Sequence, residues 1–510
     1  MYPDDTALVE LTPSQKFRRE ITWREFEQTT NRVANTLIER GVRKGDKVIQ
    51  LMRNAITWLE VYFGIIRTGA WAVPLNFRFT SRDIKYCADI AKAKVMFLEE
   101  EFIERVEAIR PELTTLNDYI FAGQNPPNNM LSLEALIDRA SSEPTEIELN
   151  DNDACGLYFT SGTTGDPKPI LLTHKNMEWA AITEQNHHYQ QRNDNFILIP
   201  PLYHAGAKMH WFGSLIVGGR ATLLREVTPH YVLETVAAER GTVVWLLVPW
   251  ALDIVGALDR GELKKEDYDL SCWRLMHIGA QPVPPSLVKR WKEYFPDMQY
   301  DTNYGLTETT GPGCVHLGIE NEHKVGAIGK AGYGWKTRIV DENGNDVAQG
   351  EVGELLVKGG GVMKEYYQNP GKTVETIKEG WLYTGDMVKE DSDGFIYIVD
   401  RKKDVVITGG ENIYPVEIEA VLQGHPKIHD AAVIGLPDER LGEIAAAIIK
   451  VKPGQTLTEA EVMAFAEQNL PRYKRPRRII FDEVPRNPTG KIEKPKLRHK
   501  YTGIKEGTKV

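Results

Sequence analysis

The sequence predicts an α/β protein: a large N-terminal domain of βα sheets carrying a small antiparallel barrel, then a small α+β C-terminal domain. Three observations predict it. The chain has 510 residues, whereas a single core rarely grows past about 300. Helical and strand patterns alternate through the first half, the rhythm of parallel sheets covered by helices. After about Gly326 the texture changes to short alternating strands split by turn signals: Asp341-Glu342-Asn343-Gly344, Gly359-Gly360-Gly361 and Asp393-Gly394. That texture reads as an antiparallel sheet or small barrel.

Taken in order, Thr22 and Glu25 form a capping box before a helix on which Phe26, Val33, Leu37 and Ile38 recur at helical spacing. The turn Gly45-Asp46 leads into a strand at 47–52, a second helix at 57–67 and a short strand at 72–75. Further buried-type strands are expected at 196–200, 242–248 and 274–278. From Pro415 a compact last unit is expected, with helix 415–423, strands 430–435 and 443–451, helix 458–469 and strand 478–483. About 110 residues suffice for a small α+β domain. The polar stretch Asp400 to Asp404 reads as the hinge, which gives domains 1–400 and 405–510 around a hinge at 401–404.

Composition narrows the function. With 62 Lys+Arg against 72 Asp+Glu the net charge is −10, which argues against a general nucleic-acid or anionic-membrane binder. Four cysteines, Cys87, Cys155, Cys272 and Cys314, lie far apart. Their spacing offers neither a disulfide framework nor a zinc motif and fits a reducing, cytoplasmic compartment. The first twelve residues show no basic or apolar signal region. The longest apolar stretch, 245–258, is short of the roughly 20 residues of a membrane span and contains Asp253.

Four segments carry chemistry. Residues 158–168 read Tyr-Phe-Thr-Ser-Gly-Thr-Thr-Gly-Asp-Pro-Lys. An apolar strand enters a loop whose glycines let backbone N–H groups approach an anion, whose hydroxyls add donors, and whose Lys168 adds a point charge suited to phosphate; a flexible surface loop is the plainer alternative. It is not a Walker A loop, since no glycine precedes Lys168, and Gly371-Lys372-Thr373 also fails, because Tyr366 occupies the required first glycine. In Asn303-Tyr304-Gly305-Leu306-Thr307-Glu308-Thr309 an aromatic can stack on a base and a carboxylate can hold Mg²⁺; a capped turn before a helix is the plainer alternative. In Trp381-Leu382-Tyr383-Thr384-Gly385-Asp386 and Asp400-Arg401-Lys402-Lys403-Asp404, Asp386 can accept both ribose hydroxyls and Arg401 can add a charge-assisted donor; a turn beside a solvated charge run reads the same. Pro485-Arg486-Asn487-Pro488-Thr489-Gly490-Lys491-Ile492 presents a lysine on a proline-framed loop, and an ordinary exposed lysine is the commoner meaning of that pattern.

In this order and spacing the four segments resemble the AMP-forming adenylating superfamily, which comprises acyl-CoA synthetases, firefly-type luciferases and the adenylation domains of nonribosomal peptide synthetases. The resemblance spans about residues 20–500 and is greatest toward fatty-acyl and 4-coumarate CoA ligases, including Thr408-Gly409-Gly410-Glu411-Asn412-Ile413-Tyr414-Pro415. It implies two half-reactions. A carboxylate attacks the α-phosphate of Mg·ATP to give acyl-adenylate and pyrophosphate, then the CoA thiol displaces AMP. The attack joins two anions, so cations must neutralise both.

By motif the resemblance assigns Thr160, Ser161, Gly162, Thr163, Thr164 and Lys168 to the β- and γ-phosphates. Tyr304, between Asn303 and Gly305, stacks on adenine beside Gly279 and Ala280. Thr307 contacts the α-phosphate, Glu308 binds Mg²⁺, and Asp386 and Arg401 hold the ribose. Lys491 bridges carboxylate and α-phosphate. His204 stands at the mouth of an acyl pocket that also draws on Gly206, Trp211, Gln281 and Gly311. The resemblance further implies that the small domain is mobile and rotates between half-reactions, with Lys403 at the hinge and Gly409 and Gly410 lining the CoA tunnel; a homodimer is a further expectation.

Two positions depart from the family pattern: Pro169 stands where glycine is usual, removing an N–H, and Gln281 stands where a small residue is commoner. Tryptophans and glycines around the pocket favour a short- or medium-chain, branched or aromatic acid. Lys208 is expected to face solvent, with pairing to a second substrate carboxylate as the alternative, and Lys474-Arg475-Pro476-Arg477-Arg478 either meets CoA phosphates or is a solvated face. Rival readings are adenylation for a carrier protein, against which His204 stands where those domains use aspartate, a luciferase-like oxygenase, and a non-catalytic nucleotide-binding relative.

Overall fold

The computed structural model describes residues 2–160, 167–280, 283–316, 319–486 and 492–502. The first half folds as two βα sheets. The first runs Glu365–Tyr366, Lys168–Thr173, Ala154–Thr160, Trp71–Pro74, Lys47–Leu51, Val95–Leu98, Asp118–Phe121 and Leu131–Ser132. It is parallel except where Lys168–Thr173 pairs antiparallel with both of its neighbours. The second runs Gln299–Asp301, Leu275–Gly279, Val243–Leu247, Asn195–Leu198, Arg220–Leu224, Thr6–Thr12 and Phe17–Thr22. It is parallel apart from the N-terminal hairpin.

The expected helices and strands lie within a few residues of their predicted places. The Thr22 box forms: Glu25 N–H donates to Thr22 Oγ1 at 3.2 Å, and Thr22 N–H donates to the Glu25 carboxylate at 2.7 Å. Phe26, Val33 and Leu37 of Trp23–Glu39 are buried as the periodicity requires. Helices Ile56–Arg67, His174–His187 and Ala205–Val217 share one apolar core with residues of both sheets. The apolar stretch 245–258 divides into strand Val243–Leu247 and helix Val248–Asp259, with Pro249 in the first turn of the helix.

The Gly-rich middle forms the predicted antiparallel structure. Lys336–Val340, Gly353–Lys358, Trp381–Glu390, Ile396–Arg401 and Ile377–Lys378 make a curled half-barrel sheet. A smaller antiparallel sheet of Asn303–Leu306, Gly311–His316 and Lys330–Ala331 stands beside it. The Tyr304-Gly305 pair therefore lies in a strand, not in a turn before a helix.

The last unit is a five-stranded sheet of Glu411–Ile413, Val406–Thr408, Gly442–Val451, Ile428–Asp438 and Arg478–Phe481. Helices Pro415–Gln423 and Glu459–Asn469 cover one face, and a helix not foreseen, Lys494–Thr502, covers the other. Its sequence is lysine-rich, and only Lys494 and Leu497 are buried, so it lacks an apolar stripe to read.

Candidate functional site

A long cleft runs between the half-barrel, the ends of the two sheets and the last unit. Strand geometry fills it. In an antiparallel pair, directly opposed residues face the same side, and Asp386 opposes Arg401 across the half-barrel strands. Arg401 Nε donates to Asp386 Oδ1 at 2.6 Å. The buried Tyr304 donates its hydroxyl to the other oxygen of Asp386. Burial alone would weaken the Arg401 cation, yet its proton affinity is raised, foremost by Asp386. Tyr304, Asp386 and Arg401 are thus one hydrogen-bonded unit, joining residues up to 97 positions apart in the chain.

Glu308 sits on the turn Thr307–Thr309, between the strands Asn303–Leu306 and Gly311–His316. Its Oε1 accepts the Tyr366 hydroxyl at 2.8 Å, and its carbonyl accepts the Met363 N–H at 2.8 Å. Burial and then Glu308 push the Tyr366 phenol above its ordinary range, so it stays protonated and donates. In the sequence Tyr366 signals only that no Walker A loop stands there. Its role comes from strand Glu365–Tyr366 docking on Lys168–Thr173, a pairing that local sequence does not reveal. A single oriented carboxylate suits Mg²⁺, which keeps most of its waters and takes one or two carboxylates plus phosphate oxygens.

Strands Ala154–Thr160 and Lys168–Thr173 pair antiparallel, with Thr160 opposite Lys168 and both half-buried at the cleft. Ser161, Gly162, Thr163 and Thr164 lie outside the described residues, as do Gln281 and Lys491. Pro169 opposes Phe159, and its carbonyl accepts the Tyr367 N–H at 2.9 Å. Gly279 ends strand Leu275–Gly279, and a Cβ there would stand 3.1 Å from His277 Nε2. Ala280, at φ +69, Asn303, Gly305 and Thr307 line the cleft.

A family model for AMP-binding enzymes matches residues 1–367, and one for the AMP-binding enzyme C-terminal domain matches 417–491. The chain belongs to the AMP-binding enzyme family. Among curated proteins it is 34% identical over 485 residues to a feruloyl-CoA synthase of Amycolatopsis sp, covering 94% of each chain. It is 32% identical over 487 residues to the long-chain-fatty-acid–CoA ligase FadD13 of Mycobacterium tuberculosis, covering 94% of this chain and 93% of that one. Among solved structures it resembles the anthranilate CoA ligase AuaEII in complex with anthranoyl-AMP, at 28% identity and a TM-score of 0.88, covering 98% and 95%.

In this AMP-binding enzyme one side of the cleft is built on helix Ala205–Val217, with His204 at its N-cap and its ring tilted 42° to that of Tyr203 at 4.2 Å between ring centroids. Gly206 faces Gly311; a Cβ on Gly311, at φ +133, would stand 3.1 Å from the Gly206 Cα. One turn on, His210 stacks on Trp245 at 4.0 Å and 17°, and Asn303 donates to Glu184 Oε1 at 3.0 Å beside them. Trp211 does not reach the pocket. A step of one residue turns about 100° around the helix, so with Gly206 and His210 toward the cleft, Trp211 is fully buried in the core against Phe212.

Lys208 corrects the sequence reading too. It is fully buried, over the Tyr158 ring at 4.2 Å, with Nζ donating weakly to the Leu202 and His204 carbonyls at 3.4 and 3.3 Å. Desolvation holds its amine well below the ordinary lysine range.

On the last unit, Lys403 is exposed at the cleft, whereas Gly409 and Gly410 form an exposed left-handed turn outside its lining. Of the basic run, Lys474 pairs with Glu417 at 2.7 Å and Arg475 with Glu467 at 3.3 Å, while Arg477 and Arg478 are exposed. Arg486, Lys494 and Arg498 border the cleft instead. No described helix is long and apolar enough to cross a membrane.

Proposed function

We propose that this chain is an ATP-dependent acid:CoA ligase that forms an acyl-adenylate and pyrophosphate and then an acyl-CoA and AMP. The observation that carries the reading is that the Tyr304–Asp386–Arg401 unit, the Glu308–Tyr366 pair and the Gly206–Gly311 mouth open on one cleft. Asp386 and Arg401 hold the ribose hydroxyls, and Tyr304 offers its ring to adenine. Glu308, turned by Tyr366, holds Mg²⁺, which supplies charge to the phosphates. Thr160 and Lys168 flank the phosphate loop, and Lys491 brings a cation to the joining anions. One acid oxygen bonds to the α-phosphorus as pyrophosphate leaves; later the thiol sulfur bonds to the acyl carbon as AMP leaves.

The domains run 1–400 and 405–510 about a hinge at 401–404, a division supported by the separate cores of the last unit. Arg486, Ile492, Glu493 and Lys494 of that unit border the cleft while Gly409 and Gly410 do not, which supports an arrangement suited to the first half-reaction, with rotation bringing Gly409 and Gly410 in for the second. Lys491→Ala is expected to lower adenylate formation at least about 100-fold while sparing thioester formation from supplied acyl-adenylate; equal loss of both steps argues against rotation.

The acid is short, medium, branched or aromatic. Trp245, Trp250 and His210 give the pocket flat walls, and the likeness to a feruloyl-CoA synthase supports an aromatic acid. The deciding experiment is pyrophosphate release with Mg·ATP across acids from acetate through octanoate and palmitate to benzoate and cinnamate, with and without CoA. CoA-stimulated release and AMP formation support the ligase and name its acid class. Release indifferent to CoA redirects the search to another acceptor. A cytoplasmic location is supported by the free, buried Cys87 and Cys155. A homodimer is checked by sedimentation equilibrium.

A further inference from the structure

Behind the His210–Trp245 wall, and sharing His210 with it, lies a cluster of buried titratable side chains to which the ligase reaction gives no chemical step. Helix His174–His187 and its C-cap supply Glu184, His187 and His188. His210 comes from the next helix, His277 from strand Leu275–Gly279 and Asp301 from strand Gln299–Asp301. Each is at most 3% exposed. His187 Nε2 stands 3.0 Å from Asp301 Oδ2. His188 Nε2 stands 3.0 Å from His277 Nδ1 and 4.0 Å from Asp301 Oδ2. One donor atom from each of these four residues lies within 4.8 Å of all the others. A tetrahedral zinc with bonds of about 2.0–2.1 Å sets its donors about 3.4 Å apart, which falls inside this range.

The other ring nitrogens of His188 and His277 have close polar neighbours. His188 Nδ1 lies 3.2 Å from Glu184 Oε2. His277 Nε2 lies 3.3 Å from His210 Nε2, which is itself 3.0 Å from Glu184 Oε1. A ligating histidine typically hands its other nitrogen to a carboxylate, carbonyl or water, which fixes tautomer and ring direction. Charge points the same way. Arg274 divides its guanidinium between the His188 carbonyl, at 3.1 Å, and Asp194, at 2.7 Å. One dication balances the two carboxylates, Asp301 and Glu184, that the fold takes out of water. A relay of shared protons among the imidazoles is the competing account.

We propose that His187, His188, His277 and Asp301 bind one structural divalent ion of the zinc class, with Glu184 and His210 orienting the ligands. Four protein ligands from three elements close the shell, as in structural rather than catalytic zinc sites. The ion would tie helix His174–His187 to the second sheet and, through His210, fix the wall on which an acyl group rests.

The test uses the untagged full chain with no acid, ATP or CoA, so it stands apart from the ligase reading. Protein is stripped with chelator, reloaded with Zn²⁺, freed of excess and measured for metal; X-ray absorption then reads the ion's neighbours. About one zinc per chain in a nitrogen and oxygen shell with imidazole scattering is expected, with loss of the ion in His277→Gln and retention in His425→Gln. Chelation is expected to lower the thermal midpoint of the wild type. Less than about a tenth of an equivalent in reloaded wild type overturns the proposal, as does a shell without imidazoles or full zinc in His277→Gln. Should His277→Gln fail to fold, the wild-type stoichiometry and absorption decide alone.

Discussion

Tyr366 and Glu308 are 58 positions apart in sequence, yet one hydroxyl–carboxylate bond joins them. A bond to a charged group contributes about 1.5–3 kcal/mol. Tyr366→Phe is therefore expected to lower kcat/KM for Mg·ATP by roughly 10- to 100-fold and to shift the Mg²⁺ dependence; an unchanged Mg²⁺ titration would show that Tyr366 merely packs. Lys208 makes a different point. Its amine is buried against Tyr158 with two long bonds to carbonyls, and desolvation lowers its pKa well below the ordinary value. Between that lowered value and the unfolded one the unfolded chain binds more protons, so stability rises with pH and falls as pH drops. Lys208→Met, similar in volume, is expected to fold, to match or exceed wild-type stability near neutrality by up to about 2 kcal/mol, and to flatten that dependence. Urea midpoints across pH check it, and an unaltered slope would refute the assignment.

At the scale of elements, helix Ala205–Val217 and strand Gly311–His316 meet through two glycines. A side chain on Gly311 would press on the Gly206 Cα and carry φ +133, a conformation that costs non-glycine residues about 1–3 kcal/mol. Gly311→Ala is expected to lose that much stability and to raise KM for the acid more than KM for ATP. Equal KM changes would place the effect outside the acyl side. Elements also explain which expectations held. The capping box at Thr22 and the burial of Phe26, Val33 and Leu37 were legible because local bonds and a 3.6-residue period fix them. Lys208 and Trp211 were misplaced because helix Ala205–Val217 is apolar almost all round, so its sequence does not say which side faces the cleft. The helix Lys494–Thr502 escaped notice for the opposite reason, having almost no apolar stripe.

At the scale of the molecule, the hinge stretch 400–404 is tied to two helices of the last unit, Pro415–Gln423 and Lys494–Thr502. Arg498 pairs with Asp404 at 2.8 Å, and the Val416 N–H donates to Asp400 at 2.9 Å. Burial outweighs the Lys494 charge and two N–H bonds, so the Asp400 pKa is pushed up to about 6. A raised carboxyl binds its proton more tightly in the folded chain. Its cost to stability therefore grows as pH rises from the unfolded value near 3.8 to about 6 and is complete above that, amounting to about 3 kcal/mol. Asp400→Asn is expected to gain most of that difference over wild type at pH 7 relative to pH 4, read from urea unfolding at both. A difference independent of pH would mean that Asp400 is ionised in both states at an ordinary pKa.

The sequence by itself determined the alternation of helices and strands, the change to antiparallel structure after Gly326, the compact last unit and the order of its nucleotide-binding segments. These are written in short windows, because periodicity, caps and turn residues act over a few positions. Only the tertiary structure decided that Tyr304, Asp386 and Arg401 are one unit, that Tyr366 turns Glu308, that Lys208 faces inward, and that His187, His188, His277 and Asp301 converge. Each of these depends on register between strands distant in the chain or on the angle at which a helix lies against a sheet. Packing of the whole sets those quantities, and no local pattern encodes them.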